Sequence, residues 1–204
     1  MFSRGVSIKV PNGSTGESQR FEETNVYFAD SSIMKIFTFE PIKGSIDDGL
    51  KKPYTVILNE EIAHKYFGDE NTIGKQILME GNNSFQVVAV VKDFPSNSHV
   101  HFDILVPYDI MYVIEPENLK ENVIQNFKMN WIVSHSITYV LLKPGSDPLA
   151  VDNKFPDFVA EKIPESMQKS QSFKLQPLEE IHLNEDIQAQ AEPPGSRIFI
   201  YIFT

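Results

Sequence analysis

Apolar and polar positions follow a readable order along this chain, and the clearest block runs from Tyr54 to Pro107. Thr55 to Leu58 is a short apolar, β-branched run, the pattern of a buried strand. Asn59 suits a helix N-cap, and Glu60 and Glu61 put negative charge in the first turn. Ile62, Ala63, Tyr66 and Phe67 then fall at helical spacing and give one apolar face. Gly68 suits a left-handed C-terminal cap. Gln76 to Glu80 and Phe85 to Lys92 flank Gly81, Asn82, Asn83 and Ser84. Those four tolerate positive φ, so a hairpin is predicted. Phe85, Val87, Ala89 and Val91 are expected on one face of its second strand. Val88 and Val90 on the other face predict a strand covered on both sides.

Before that block, Phe2 to Val10 reads as a strand, Pro11 to Gln19 as a loop and Phe21 to Phe28 as extended. Asp30-Ser31-Ser32 can cap a short helix carrying Ile33, Met34, Ile36 and Phe37. Lys43 to Lys52 reads as a polar loop. After Pro107 the texture changes. Pro116-Glu117-Asn118 can open a helix over Leu119, Val123 and Phe127, and Ile137 to Lys143 alternates as a strand. Asp147-Pro148 is a strong helix start, with Val151, Phe155, Phe158, Val159 and Ile163 on one face. Pro156 inside that pattern predicts a kink or two short helices, and Pro164 an end. Phe173 to Leu178 reads as a late strand that would return to the first sheet. Such a layout permits a discontinuous domain with an insertion.

Composition narrows the function classes. The chain has 204 residues, 41% hydrophobic and 23% charged, enough for one large domain or two small ones. A formal net charge of −10 without a long basic run argues against nucleic acid and an anionic membrane surface as partners. The absence of cysteine excludes thiolate metal sites, Cys nucleophiles and disulfides. No signal peptide and no complete transmembrane helix is read. The run Ile198 to Phe203, after Pro193-Pro194-Gly195-Ser196, looks like the first turns of a membrane helix that has been removed. The chain termini would then lie at one pole of the domain.

Candidate chemistry is sparse. His99 and His101, two apart in an extended stretch with Asp93 and Asp103 nearby, could present ligands for zinc or copper. Two histidines without a reliable third ligand make a weak set, and a turn whose His and Ser side chains satisfy backbone groups is the favoured reading. Glu60 and Glu61 with Asp69 and Glu70 supply paired carboxylates, but their places at a helix start and end point to capping and solvation. Trp131, with Phe127 and Met129, could form a partner-binding patch or part of a core. No Gly-x-Ser-x-Gly elbow, P-loop or dinucleotide fingerprint is present.

The chain resembles the extracytoplasmic core domain of MacB-type and FtsX-like ABC transporter permeases. The resemblance starts with Val26-Tyr27-Phe28-Ala29-Asp30-Ser31-Ser32 and Phe37. It continues through Val56-Ile57-Leu58-Asn59-Glu60-Glu61-Ile62-Ala63, Tyr66-Phe67-Gly68 and Thr72-Ile73-Gly74-Lys75. Further pieces are Val87 to Asp93, Pro95-Ser96-Asn97-Ser98-His99, Tyr139 to Leu142 with Gly145, Gln176-Pro177-Leu178 and Ile181-His182-Leu183. Ala89 stands where the family has glycine. The likeness spans nearly the whole chain, and the order of the pieces carries it.

That resemblance implies an α+β, two-lobed fold. Residues 1–107 plus 172–192 would form a mixed-sheet, porter-like lobe, and residues 108–171 an inserted, smaller, α/β, Sabre-like lobe. Residues 193–204 would begin a truncated transmembrane helix. It implies an inner-membrane permease with this domain on the periplasmic side, without catalytic, cofactor-binding or metal residues. The permease would pair as a dimer with a second permease copy and with a cytoplasmic ABC ATPase, and could meet a periplasmic or outer-membrane partner. The function implied is mechanotransmission: ATP-driven conformational change relayed to substrate export or partner regulation. The alternative is a free-standing extracytoplasmic solute- or peptide-binding module. The isolated domain is expected to bind no nucleotide and to be mainly monomeric.

Overall fold

The computed structural model describes residues 1–11, 17–47, 49–95, 98–114, 120–121, 124–125 and 136–181. The chain divides into two compact units, Met1–Ile124 and Gln125–Thr204.

The first unit is built on a seven-stranded mixed sheet. Its strands are β1 (Phe2–Pro11), β2 (Ser18–Ala29), β3 (Pro41–Gly44), β4 (Thr55–Asn59), β5 (Gln76–Met79), β6 (Asn83–Val91) and β7 (Ile104–Pro107). The order is β3-β6-β4-β7-β2-β1-β5, with β5 also pairing β6. Pairing therefore runs β6–β4–β7–β2–β1–β5 and back to β6, and the ring closes. Two of the pairs, β2–β7 and β4–β6, are parallel. On the edge of β6 away from β4, β5 takes residues 83–86 and β3 takes 89–91.

The centre of the sheet is buried on both faces. Tyr27 and Ala29 of β2, Ile57 of β4 and Leu105 of β7 join Ile33, Phe39, Val100 and Phe102 in one cluster. Alternation turns Val26, Phe28, Leu58, Ile104 and Val106 to the other face, all 0% exposed. β4 is buried at every position. The hairpin forms, but its faces differ from expectation. Val56 pairs Val87 and Ile57 pairs Ala89, so Val88 is an extra residue in β6. This bulge moves Ala89 and Val91 into the cluster with Ile57 and leaves Phe85 and Val87 on the face of Val56. The turn is also tighter than expected. Met79 pairs Asn83, and Glu80 (φ 46) and Gly81 (φ 88) take the positive φ.

β3 runs into the start of the stretch assigned to a polar loop, through Lys43 and Gly44, and exists because β6 supplies a backbone to pair with. Gly44 is required there: at φ 75, a Cβ would run into the Val88 carbonyl. The short helix α1 (Ile33–Ile36) forms as expected, with Asp30 accepting hydrogen bonds from the Ser32 N–H and hydroxyl. After β7 a 3-10 turn, Tyr108–Tyr112, buries Ile110 and Met111 within the first unit.

The second unit holds α3 (Pro148–Asp152), α4 (Phe155–Lys162), α5 (Glu165–Gln168) and α6 (Leu178–Ile181). Asp147 caps α3 by accepting the Leu149 N–H at 3.0 Å. Pro156 sits in the first turn of α4, where its missing N–H has no intrahelical acceptor, so the expected pattern resolves as two short helices. The expected strands at Ile137 to Lys143 and Phe173 to Leu178 do not form: 137–143 and 173–177 are irregular and Leu178 starts α6. A strand needs a partner backbone, and β-propensity alone does not supply one. The helix expected over Leu119, Val123 and Phe127, and the run Ile198 to Phe203, lie outside the described residues. No described helix is long and apolar enough to cross a membrane.

Candidate functional site

The most organised polar cluster ties helix α2 (Glu60–Phe67) to the sheet. Asn59 ends β4 and caps α2, its side chain accepting the Ile62 N–H at 2.9 Å. Glu61 donates its N–H to Asp93 Oδ1 at 3.2 Å, so a carboxylate joins the Asn59 amide at the positive end of the helix. Ile62, Ala63 and Tyr66 are buried, as the spacing predicts. Gly68 closes the helix with its N–H on the His64 carbonyl and φ 58. Its ψ of −136 is not the left-handed helical value, so only glycine's freedom at positive φ was anticipated.

From β2, Phe21 and Glu23 share one face and meet the end of α2. The Phe21 and Tyr66 rings lie 4.8 Å apart. Glu23 is 6% exposed and takes two donors on one oxygen, Lys65 Nζ at 2.8 Å and the Tyr66 hydroxyl at 2.9 Å. Lys65 also lies over the Phe21 ring at 5.3 Å. Asp103, just before β7, accepts Asn59 Nδ2 at 3.2 Å. Its backbone donates to the Asn25 carbonyl and accepts from the Asn59 N–H, both at 3.0 Å. One residue thus stitches β2, β4 and the start of α2.

The electrostatics follow from that crowding. Burial raises the Asp103 pKa, and the Glu23 and Glu61 carboxylates raise it further. Burial also pushes the Tyr66 phenol up, with Glu23 accepting its proton. The phenol therefore stays a donor at any working pH. Such a cluster can hold a helix in place. Glu23 was not singled out from sequence, and Asp103 was weighed only as a neighbour of the histidine pair. The one available signal was a charged residue at an inward position of an alternating strand, two residues after Phe21.

The residues that the sequence did single out are dispersed. His101 Nε2 lies 3.0 Å from the Pro95 carbonyl and donates to it. Its ring packs edge-on to Phe94 at 5.9 Å. Ser98 Oγ donates to the Val100 carbonyl at 2.9 Å, so this is a turn held by its own side chains. Asp93 is engaged at α2 and Asp103 at Asn59. Among the described residues no group of three His, Asp or Glu side chains is placed to hold a metal ion. Of the carboxylates weighed as a pair, Glu60 and Glu61 open α2, Asp69 is 3.8 Å from His64, and Glu70 pairs with Lys75. Phe127, Met129 and Trp131 lie outside the described residues.

A family model described as the MacB-like periplasmic core domain matches residues 3–157, which includes the whole sheet and α2. The chain belongs to this family. It is an extracytoplasmic domain of the ABC transporter permease relatives. Among solved structures, it is similar to a domain described as part of a permease protein from Porphyromonas gingivalis. That match has 21% identity and a TM-score of 0.55, covering 86% of this chain and 79% of the other. It is also similar to the periplasmic region of MacB from Actinobacillus actinomycetemcomitans (21% identity, TM-score 0.42, 55% and 48% covered). A third is the extracellular domain of the noncanonic ABC-type transporter YknZ from Gram-positive bacteria (18%, 0.40, 55% and 55%). At these identities the Porphyromonas domain bears on the fold alone. No curated protein matches the chain.

Proposed function

We propose that this MacB-like domain works as the extracytoplasmic part of an ABC transporter permease and relays ATP-driven movement to an exported substrate or a partner. The observation that supports the relay best is the closed ring of strands with α2 pinned to it through Glu23, Asn59 and Asp103. A close-packed body of this kind deforms little, so displacement at one end is passed on rather than absorbed. In this reading the domain performs no chemistry and holds no cofactor. The same reading gives the domain a porter-like lobe and a smaller, inserted Sabre-like lobe. The partners are a cytoplasmic ABC ATPase reached through the parent permease, a second permease copy, and a periplasmic or outer-membrane protein. The site of action is the periplasmic side of the inner membrane.

The second reading, a solute- or peptide-binding module, draws on an open apolar groove around Phe155, Val159 and Phe173. The two are separated in the full-length permease assembled with its ATPase. This domain has no cysteine, so once any cysteines in the rest of the assembly are replaced, Asp69→Cys, fully exposed, takes a single spin label in each copy. The label-to-label distance should change between nucleotide-free and ATP-trapped states. An unchanged distance in an assembly with intact ATPase turnover would sink the relay.

A further inference from the structure

We propose that the second unit binds a small anionic amphiphile, an alkyl chain ending in a carboxylate, in a groove of about 390 Å³ formed by residues 152–173. The proposal is independent of the relay reading, since it uses only this segment.

The groove has the size of a small-molecule site, which typically spans about 300–1,000 Å³ with apolar walls and a few placed polar groups. Its floor is apolar. Val159 of α4 is 7% exposed, and the Phe173 ring lies 6.0 Å from Phe155 and 5.7 Å from Phe158. Phe173 itself keeps 37% of its surface open. An alkyl chain laid against Phe155 and Phe173, which line the groove, would remove that surface from water.

The rim decides the sign of the head group. Its one acid, Asp152, already accepts the Leu175 N–H at 2.7 Å. The Gln168 amide nitrogen donates to the Ala160 and Ile163 carbonyls at 3.2 and 2.8 Å. What remains is rich in donors: the Lys169 ammonium, the Ser172 hydroxyl and the Gln171 amide. No carboxylate among the described residues pairs with Lys169. An ionised carboxylate is acceptor-only and makes its strongest bonds to charged donors, so it matches this rim. A cationic head would meet Lys169, and a neutral head would forgo the charge-assisted bond.

The test is titration of the 204-residue protein with decanoate, followed by calorimetry, beside decanol as the uncharged control. Decanoate should bind saturably at one site. Ala160 is exposed and lines the groove, so Ala160→Trp fills it from the surface without touching a core and should abolish binding with the circular dichroism unchanged. Lys169→Gln should weaken decanoate about two- to fivefold, the range of an exposed ion pair, and leave decanol unaffected. Absence of saturable binding would overturn the proposal. So would binding unaltered by Ala160→Trp, or decanol binding as tightly as decanoate.

Discussion

Val56-Ile57-Leu58 and Val140-Leu141-Leu142 are almost the same tripeptide, and they meet opposite fates. The first is 0% exposed throughout, in the middle of β4. In the second, Val140 is 57% and Leu141 67% exposed. The difference lies in the neighbours. β4 has β6 on one side and β7 on the other, with apolar groups above and below. Residues 137–143 join no strand. The contrast extends to the whole units. Among the described residues, Val159 and Ile163 are the only buried apolar side chains of the second unit, while Val140, Leu141, Leu149, Phe173 and Leu178 stand exposed. Non-local strand pairing shapes the first unit and local helix signals shape the second. The relay proposed above and an accessible apolar surface therefore fall in different parts of the chain.

The largest test of that contrast is a pair of identical truncations. Leu58→Ala should cost about 2–5 kcal/mol, the transfer and cavity cost of a fully buried leucine. Leu141→Ala should stay within about 0.5 kcal/mol, as for an exposed site. Urea denaturation followed by circular dichroism measures both. Equal losses would mean that Leu141 is structurally committed and that the comparison is false.

The next effect belongs to Glu23. Glu23→Ala strips the acceptor from the buried Tyr66 hydroxyl and from Lys65. Lys65 is 42% exposed, so its ion pair is screened and contributes little. Most of the loss, about 1–3 kcal/mol, should come from the phenol left without its acceptor. Adding Tyr66→Phe to Glu23→Ala should recover part of it. If the double variant were as unstable as the sum of the single ones, the Glu23–Tyr66 bond would not be the coupling.

How much of this was legible follows from where each signal resides. The unit from Thr55 to Phe67 was readable because strand, cap and apolar helix face are all written locally, in Asn59 and in the spacing of Ile62, Ala63 and Tyr66. β3 was not, since Pro41-Ile42-Lys43-Gly44 is short, carries Pro and Gly, and becomes a strand only against β6. The Val88 bulge was hidden for a related reason. An unbroken run of valines and alanine carries no mark of where one extra residue is inserted, and the register is set by β4. Ile137 to Lys143 erred the other way, with strand composition and no strand. The site was least legible of all: Glu23, Lys65 and Asp103 are far apart in sequence, and only the β2–β7 and β4–β7 pairings bring them together.

A smaller effect should separate the cap from the rest of the cluster. Asn59→Ala removes the acceptor for the Ile62 N–H and should cost about 1 kcal/mol, the usual value for a lost cap. Asn59→Asp keeps that acceptor but sets a charge against Asp103, so it should be worse than Asn59→Ser. The order of thermal midpoints checks this; Asp equal to or above Ser would show that Asp103 exerts no field at the cap.

The smallest effect is the most diagnostic, because its sign is unusual. Burial, then Glu23 and Glu61, raise the Asp103 pKa in the folded state. The folded protein therefore holds this proton at pH values where the unfolded chain has released it. Stability attached to Asp103 falls as pH rises from the ordinary aspartate value through the raised one, and the deficit persists above that window. Asp103→Asn removes the charge and keeps an oxygen to accept Asn59 Nδ2. It should stabilise the domain near neutral pH, by about 0.5 kcal/mol or less given the partial exposure of the site and solvent screening. The gain should shrink as pH falls into the window and vanish below the ordinary aspartate range. Thermal midpoints of parent and variant across that range give the difference directly. A difference that grew on acidification would mean that the ionised Asp103 stabilises the junction, and the like-charge crowding inferred at Glu23 and Glu61 would be wrong.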